Sequence, residues 1–198
     1  MKILVVEPRR MAVRLSANFV AKERGGSVGG AVGYRIRHES KVSSQTQLVF
    51  QTEGLVLRQL ASDPTLQEFG VVILDEFHER NIASDLVLAI LSELQKTSRP
   101  DLKLVVMSAT LNAEFIESYF DDCIRIRSEG RAFPVEVVHL AHRSERRLEK
   151  EVRTALVTAL KRDQGDILIF LPGMGEIRRC LQECDELIQK ANALGLPL

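Results

Sequence analysis

Six short runs of mainly Val, Ile and Leu constrain this chain more than any other feature; they occupy residues 3–6, 48–50, 71–74, 104–107, 135–140 and 167–171. Runs with few polar interruptions suit strands covered on both faces, whereas a strand with one wet face alternates apolar and polar residues. Between them lie stretches with apolar residues at helical spacing, at 9–23, 54–61, 83–96, 113–120, 146–161 and 176–190. In the third of these, Leu86, Ala89, Ile90 and Leu94 mark one face. Strands alternating with helices call for parallel pairing with helical crossovers, so the expected fold is α/β with a mostly parallel sheet.

The 198 residues are 45% apolar and 27% charged, which is enough to bury a core and excludes disorder as the main state. Cys123, Cys180 and Cys184 are too few for a disulfide framework, which points to a reducing compartment. The two on the last predicted helix, at i and i+4, read as packing residues. No apolar run approaches the roughly 18 residues of a membrane span. The first residues are too short and turn charged too soon for a signal peptide. A soluble, cytoplasmic protein is expected.

Lys and Arg balance Asp and Glu at 27 each, but not evenly along the chain. Residues 1–60 carry ten basic and four acidic side chains, and residues 61–130 six and thirteen. That division fits a polyanion-binding edge beside a cation-binding site, and equally two solvated faces of different composition. Gly130 and Pro134 interrupt the pattern and place a domain boundary near them, giving units of 1–128 and 129–198. The second unit reads as strand, helix, strand, helix, too little for a complete sheet domain. Gly25, Gly26, Gly29, Gly30 and Gly33 read as a flexible connection.

Ligands of open α/β sheets bind outside the carboxyl ends of the strands, so the residues following each run matter most. They are Glu7-Pro8-Arg9-Arg10, Thr52-Glu53-Gly54, Asp75-Glu76-Phe77-His78 and Ser108-Ala109-Thr110. Asp75 at the end of a buried strand is suited to hold Mg²⁺ through water, and Glu76 beside it to orient and deprotonate an attacking water. The competing reading makes the two acids favourable charges ahead of the next helix. His78 lacks a second histidine at ligand spacing and reads as a hydrogen-bonding residue, with Ser108 and Thr110 as partners across neighbouring strand ends; both hydroxyls also suit helix capping. Arg9 and Arg10 at a helix start combine guanidinium donors with the helix's positive end, an arrangement for phosphate. Thr52 and Gly54 offer a hydroxyl and backbone N–H groups for the same purpose. No aromatic-rich stretch accompanies them, so contact with a nucleic-acid backbone, independent of base sequence, is expected.

Taken in order, Pro8-Arg9-Arg10, Thr52-Glu53-Gly54, Asp75-Glu76-Phe77-His78, Ser108-Ala109-Thr110 and the Leu-Ile-Phe-Leu-Pro-Gly of residues 168–173 resemble motifs Ia, Ib, II, III and IV of superfamily 2 helicases of the DEAH/RHA group. With Val32-Gly33-Tyr34-Arg35-Ile36-Arg37 upstream, the variant Asp-Glu-Phe-His-Glu-Arg most resembles the bacterial HrpB group. The resemblance implies an ATP-dependent helicase with RecA-like lobes, acting on RNA rather than DNA. It implies that Asp75 and Glu76 bind Mg²⁺-ATP and that Glu76 polarises the hydrolytic water. His78, Ser108 and Thr110 would couple hydrolysis to movement between the lobes. Arg9, Arg10, Thr52 and Gly54 would touch the nucleic-acid backbone, with Arg35 close by. Phe77, where many relatives have Ala, is not expected to alter the chemistry.

None of the twelve glycines is followed by Lys, so the phosphate-gripping G-x-x-x-x-G-K-[ST] loop does not occur. The resemblance places that loop, with its strand and helix, ahead of Met1, and the arginine-finger motifs beyond Leu198. The expectation is therefore a partial first lobe followed by the opening of a second, inactive as an ATPase by itself. A non-catalytic nucleic-acid-binding remnant using the basic first segment is the alternative of another class. A metal-dependent hydrolase built on Asp75, Glu76 and His78 is the third reading.

Overall fold

The computed structural model describes residues 1–109, 116, 120, 123–128, 130, 133–139, 147–162 and 165–193. The chain divides into two units, Met1–Ile126 and Arg127–Leu198.

The first unit runs β1 (Lys2–Glu7), α1 (Arg10–Glu23), β2 (Val32–Ile36), β3 (Glu39–Lys41), β4 (Leu48–Thr52), α2 (Glu53–Ser62), β5 (Phe69–Leu74), a 3-10 turn (Phe77–Glu79), α3 (Ile82–Lys96) and β6 (Lys103–Val106). Its six strands form one sheet in the order β3-β2-β4-β1-β5-β6. All pair in parallel except the short edge strand β3, which is antiparallel to β2. The α/β class expected from the apolar runs is what forms.

Strand periodicity assigns the two faces. From β1, Leu4 and Val6 join a core with Val49, Val72 and Leu74, covered by Val56 and Leu60 of α2 and Val87, Leu88 and Leu91 of α3. Val5 points the other way and joins Phe50, Val32, Tyr34 and Ile36 beneath Val13, Ala17 and Ala21 of α1. Each large apolar side chain buried this way contributes about 1.5–3 kcal/mol. Near α1 the sheet is covered, yet the same face stays open further along: Ile3, Val105 and Met107 are 38–41% exposed. Met11, Leu15 and Phe19, spaced i, i+4, i+8 on α1, are also exposed.

A second device closes the sheet's amino end. The guanidinium of Arg99, 9% exposed, donates to the carbonyls of Thr65 (2.6 Å), Leu66 (3.1 Å) and Phe69 (2.8 Å) and to both carboxylate oxygens of Asp101. Five donors in a rigid fork suit a residue that must satisfy several carbonyls at once.

Two expectations fail. The glycine-rich stretch leads into β2, which the apolar runs did not predict, because Val32, Tyr34 and Ile36 alternate with Gly33 and Arg35. Gly33 is required there: a Cβ would lie 2.4 Å from the Lys41 carbonyl oxygen and 2.9 Å from Val42 Cγ1. In the second unit no strand forms at the described residues of 135–140 or at 167–171. A strand needs a neighbour to take its backbone hydrogen bonds, and Val135, Val137, Val138, Leu168 and Phe170 remain exposed. The expected helix at 113–120 lies largely outside the described residues.

What the second unit does form is α4 (Leu148–Arg162) and α5 (Met174–Ala193), which pack together. Arg179 of α5 bonds Glu149 (2.6 Å) and Glu176 (2.8 Å). Cys180 and Cys184 are buried, and desolvation pushes both thiols above their ordinary range, as befits packing residues.

Candidate functional site

Register brings the strand ends into line. Glu7 pairs with Thr52, Val6 with Leu74, and Leu74 with Val106, so whatever follows β1, β4, β5 and β6 emerges along one edge. Arg9, Arg10, Thr52, Gly54, Asp75, Glu76, His78 and Ser108, scattered over a hundred positions in sequence, all belong to that edge. Thr110 lies outside the described residues. Arg35 is the exception: its guanidinium is held by Glu68 at 3.1 and 3.3 Å, just ahead of β5 at the opposite end of that strand. Desolvation pushes the Glu68 carboxyl up, but hydrogen bonds from Arg35 and Lys2 outweigh it and hold the group below its ordinary range.

On adjacent strands, α1 and α2 begin without side-chain caps. Arg9 and Thr52 occupy the cap positions and neither makes a capping hydrogen bond. No side chain therefore takes the first N–H groups of either helix, and the positive end of the helix dipole lies behind them. At Gly54 a Cβ would meet nothing within 4 Å, so packing does not demand glycine there. α3 contrasts with both, since Asn81 caps it by accepting from the Ser84 N–H at 2.9 Å.

The segment from β5 to α3 is tightly specified. Asp75 N–H donates to the Val6 carbonyl at 2.9 Å, and Asp75 Oδ1 accepts from the Glu76 N–H at 2.8 Å. Glu76 then adopts a left-handed conformation, φ 50°, as does Arg80, φ 46°. Such backbone costs on the order of 1 kcal/mol or more for a residue with a Cβ, and it persists where the surroundings impose it. Here Phe77 is 1% exposed and donates its N–H to the Met107 carbonyl at 3.1 Å, tying the turn to the end of β6. Arg80 forks onto Asp85 at 3.0 and 3.1 Å with its guanidinium 5.5 Å from the Phe77 ring centre. Arg9 reaches Glu79 at 2.8 Å.

Within this frame Asp75 is half-buried and Glu76 exposed. His78 Nδ1 lies 3.4 Å from Glu76 Oε2 without forming a hydrogen bond. Ser108 Oγ is likewise buried and unpaired, so the expected bond between His78 and Ser108 is not made. Buried polar atoms without partners carry a desolvation cost of about 1–3 kcal/mol each, and at a strand edge they mark donors and acceptors held ready for a ligand.

Two acids of this edge, Glu7 and Glu53, stand in the strand-end clusters of the sequence, which assigned them no role. Glu7 closes β1 as a residue 2% exposed, its carboxylate accepting from Ser16 Oγ at 3.0 Å. Burial pushes it above the usual carboxylate range, the Ser16 bond opposes that, and the charges of Asp75 and Glu76 add to the rise. Glu53, the first residue of α2, is 7% exposed and accepts from Asn81 Nδ2 at 3.0 Å and from Ser84 Oγ. An acid directly after an apolar run was the only available signal for either.

Among the described residues no three His, Cys, Asp or Glu side chains are grouped to hold a metal ion by themselves. One or two strand-end carboxylates instead match the way Mg²⁺ binds with a nucleotide, keeping waters and taking its other oxygens from phosphate. The donor set present fits Mg²⁺ brought by a nucleotide, not an all-protein cage.

A sheet of this order, with chemically able side chains gathered at its carboxyl edge, has the layout of a RecA-like motor lobe. A model of the DEAD/DEAH box helicase family matches residues 2–118, and the chain belongs to that family. It is 41% identical over 182 residues to the ATP-dependent RNA helicase HrpB of Escherichia coli K12, covering 92% of this chain and 22% of that protein. It is 36% identical to the ATP-dependent RNA helicase HrpA of Borreliella burgdorferi, over the whole of this chain and 24% of the relative. A crystal structure of the Escherichia coli DEAH/RHA helicase HrpB superposes with a TM-score of 0.88 at 40% identity, covering 93% of this chain and 24% of that one. The chain thus spans less than a quarter of the length of the relatives it matches. Among the described residues no helix is long and apolar enough to cross a membrane.

Proposed function

We propose that this chain is the part of an ATP-dependent RNA helicase that carries the water-activating carboxylates and the first nucleic-acid contacts, with residues 1–128 in the first RecA-like lobe and 129–198 opening the second. The observation carrying this reading is the shared edge: two adjacent helix starts without caps beside Asp75, Glu76, His78 and Ser108. Helix starts without side-chain caps, with Arg9 and Arg10 alongside, suit successive phosphates of a backbone and ignore the bases. RNA is the substrate named for both relatives. Three free cysteines accord with a cytoplasmic setting.

For hydrolysis, Asp75 would hold Mg²⁺ through its waters. Bound Mg²⁺ would neutralise charge building on the phosphate oxygens. Glu76, held in its left-handed bend with an exposed carboxylate, orients a water in line with the γ-phosphorus and accepts its proton. His78 Nδ1 and Ser108 Oγ, neither of them hydrogen-bonded, would find their partners once nucleotide is in place. Because the G-x-x-x-x-G-K-[ST] loop is not among these 198 residues, the stretch by itself lacks the donors that hold the β and γ phosphates.

The test combines binding and turnover. Anisotropy of a labelled single-stranded RNA should show affinity falling steeply with salt, with the joint substitution Arg9→Ala, Arg10→Ala weakening binding at least tenfold and Asp75→Ala leaving it within twofold. RNA-stimulated ATPase should match a Glu76→Gln control. Binding indifferent to the arginines would remove the nucleic-acid reading, and Glu76-dependent turnover would show that the phosphate loop is dispensable.

A further inference from the structure

Glu53 stands between two parts of the edge, the starts of α2 and α3, and makes the side-chain hydrogen bonds that join them among the described residues. Its neighbours in sequence, Thr52 and Gly54, start an uncapped helix; its carboxylate lies inside, on the side chains that start α3. Burying a carboxylate is costly unless its oxygens are satisfied, and here Asn81 Nδ2 and Ser84 Oγ satisfy the same oxygen. Asn81 is thereby gripped twice: its Oδ1 by the Ser84 N–H and its amide NH₂ by Glu53. That grip fixes the far end of the segment holding Glu76, His78 and Arg80, whose near end is fixed by β5 and the buried Phe77. A segment with two left-handed non-glycine residues holds its shape only while both ends are held.

We propose that Glu53 is a positioning residue that carries the state of the α2 start to the segment bearing Glu76 and His78. It rests on the nucleic-acid reading of Thr52 and Gly54. A phosphate drawn onto the α2 N–H groups shifts the backbone on either side of Glu53; the carboxylate moves with it, and Asn81 and Ser84 follow. Coupling of this kind is reciprocal, so a change in the Glu76 segment alters how tightly the α2 start holds phosphate.

The 198-residue chain with a single-stranded RNA oligonucleotide tests this by hydrogen exchange. In the wild type, RNA should slow amide exchange across residues 76–84 at least fivefold. Glu53→Ala should bind RNA within threefold of wild type yet lose that response, whereas Glu53→Gln, whose amide oxygen still accepts from both partners, should keep it. Asn81→Asp approaches from the other side: it retains the cap on α3 but loses the donor to Glu53, and the response should vanish as in Glu53→Ala. If Glu53→Ala does not fold, the Asn81→Asp and Glu53→Gln pair decides. Binding with an unchanged exchange response in Asn81→Asp, or a response lost in Glu53→Gln, overturns the relay alone. A wild-type chain that binds no RNA overturns both the relay and the reading beneath it.

Discussion

At the scale of single residues, the chemistry of this edge depends on which charges are buried. Glu7 is the clearest case, since its carboxylate is enclosed at the end of β1 and feels Asp75 and Glu76. A carboxyl whose folded-state pKa is raised binds its proton more tightly folded than unfolded. Its contribution to stability is therefore greatest in acid and declines as the pH climbs from the ordinary Glu value through the raised one. Glu7→Gln removes that penalty, so the variant should melt higher than wild type at pH 7, with the difference closing toward pH 4. Thermal unfolding followed by circular dichroism without divalent metal measures this, and an equal difference at both pH values would contradict it. Asp75, Glu76 and His78 were legible in sequence because they follow an apolar run. Glu7 and Glu53 follow apolar runs too, but burial of an acid is decided by what packs over it, which one sequence does not display.

At the scale of elements, legibility follows how each strand is covered. β1, β4 and β5 appear as apolar runs because other strands or helices cover them, and β6 is apolar although it lies at the edge with Val105 exposed. β2 hides because every second residue, Gly33 and Arg35, breaks the run while Val32, Tyr34 and Ile36 are buried. The runs at 135–140 and 167–171 mislead for the opposite reason: apolar composition without a neighbouring strand does not make a strand in the described residues. The helix starts show how element and site meet. Gly54 in the first turn of α2 has open space before it and weakens its helix relative to Ala by up to about 1 kcal/mol. If that glycine keeps the backbone open to phosphate, Gly54→Ala should raise the melting temperature while lowering RNA affinity at least fivefold. Affinity that rises or holds would mean that the α2 start does not face the nucleic acid.

At the scale of the whole chain, the sheet of the described residues carries its weakness at one side. β6 is an edge strand of Lys-Leu-Val-Val, and Val105 on it is 41% exposed. A short edge with three apolar residues in a row, without proline or a bulge, is a template for another strand. Sedimentation of the 198-residue chain should show self-association that rises with concentration, and Val105→Lys should shift it toward monomer with the fold retained; unchanged sedimentation would exonerate the edge. The opposite side of the sheet limits what such association builds. β3 is three residues of Glu, Ser and Lys, too short and too charged to accept β6 from a second copy. Head-to-tail stacking, which would never close, is thereby disfavoured, and β6 meeting β6 about a twofold axis ends after two chains. The short antiparallel strand at the far edge thus bears on the symmetry of assembly: association through β6 would end in a dimer and not run on as a fibre.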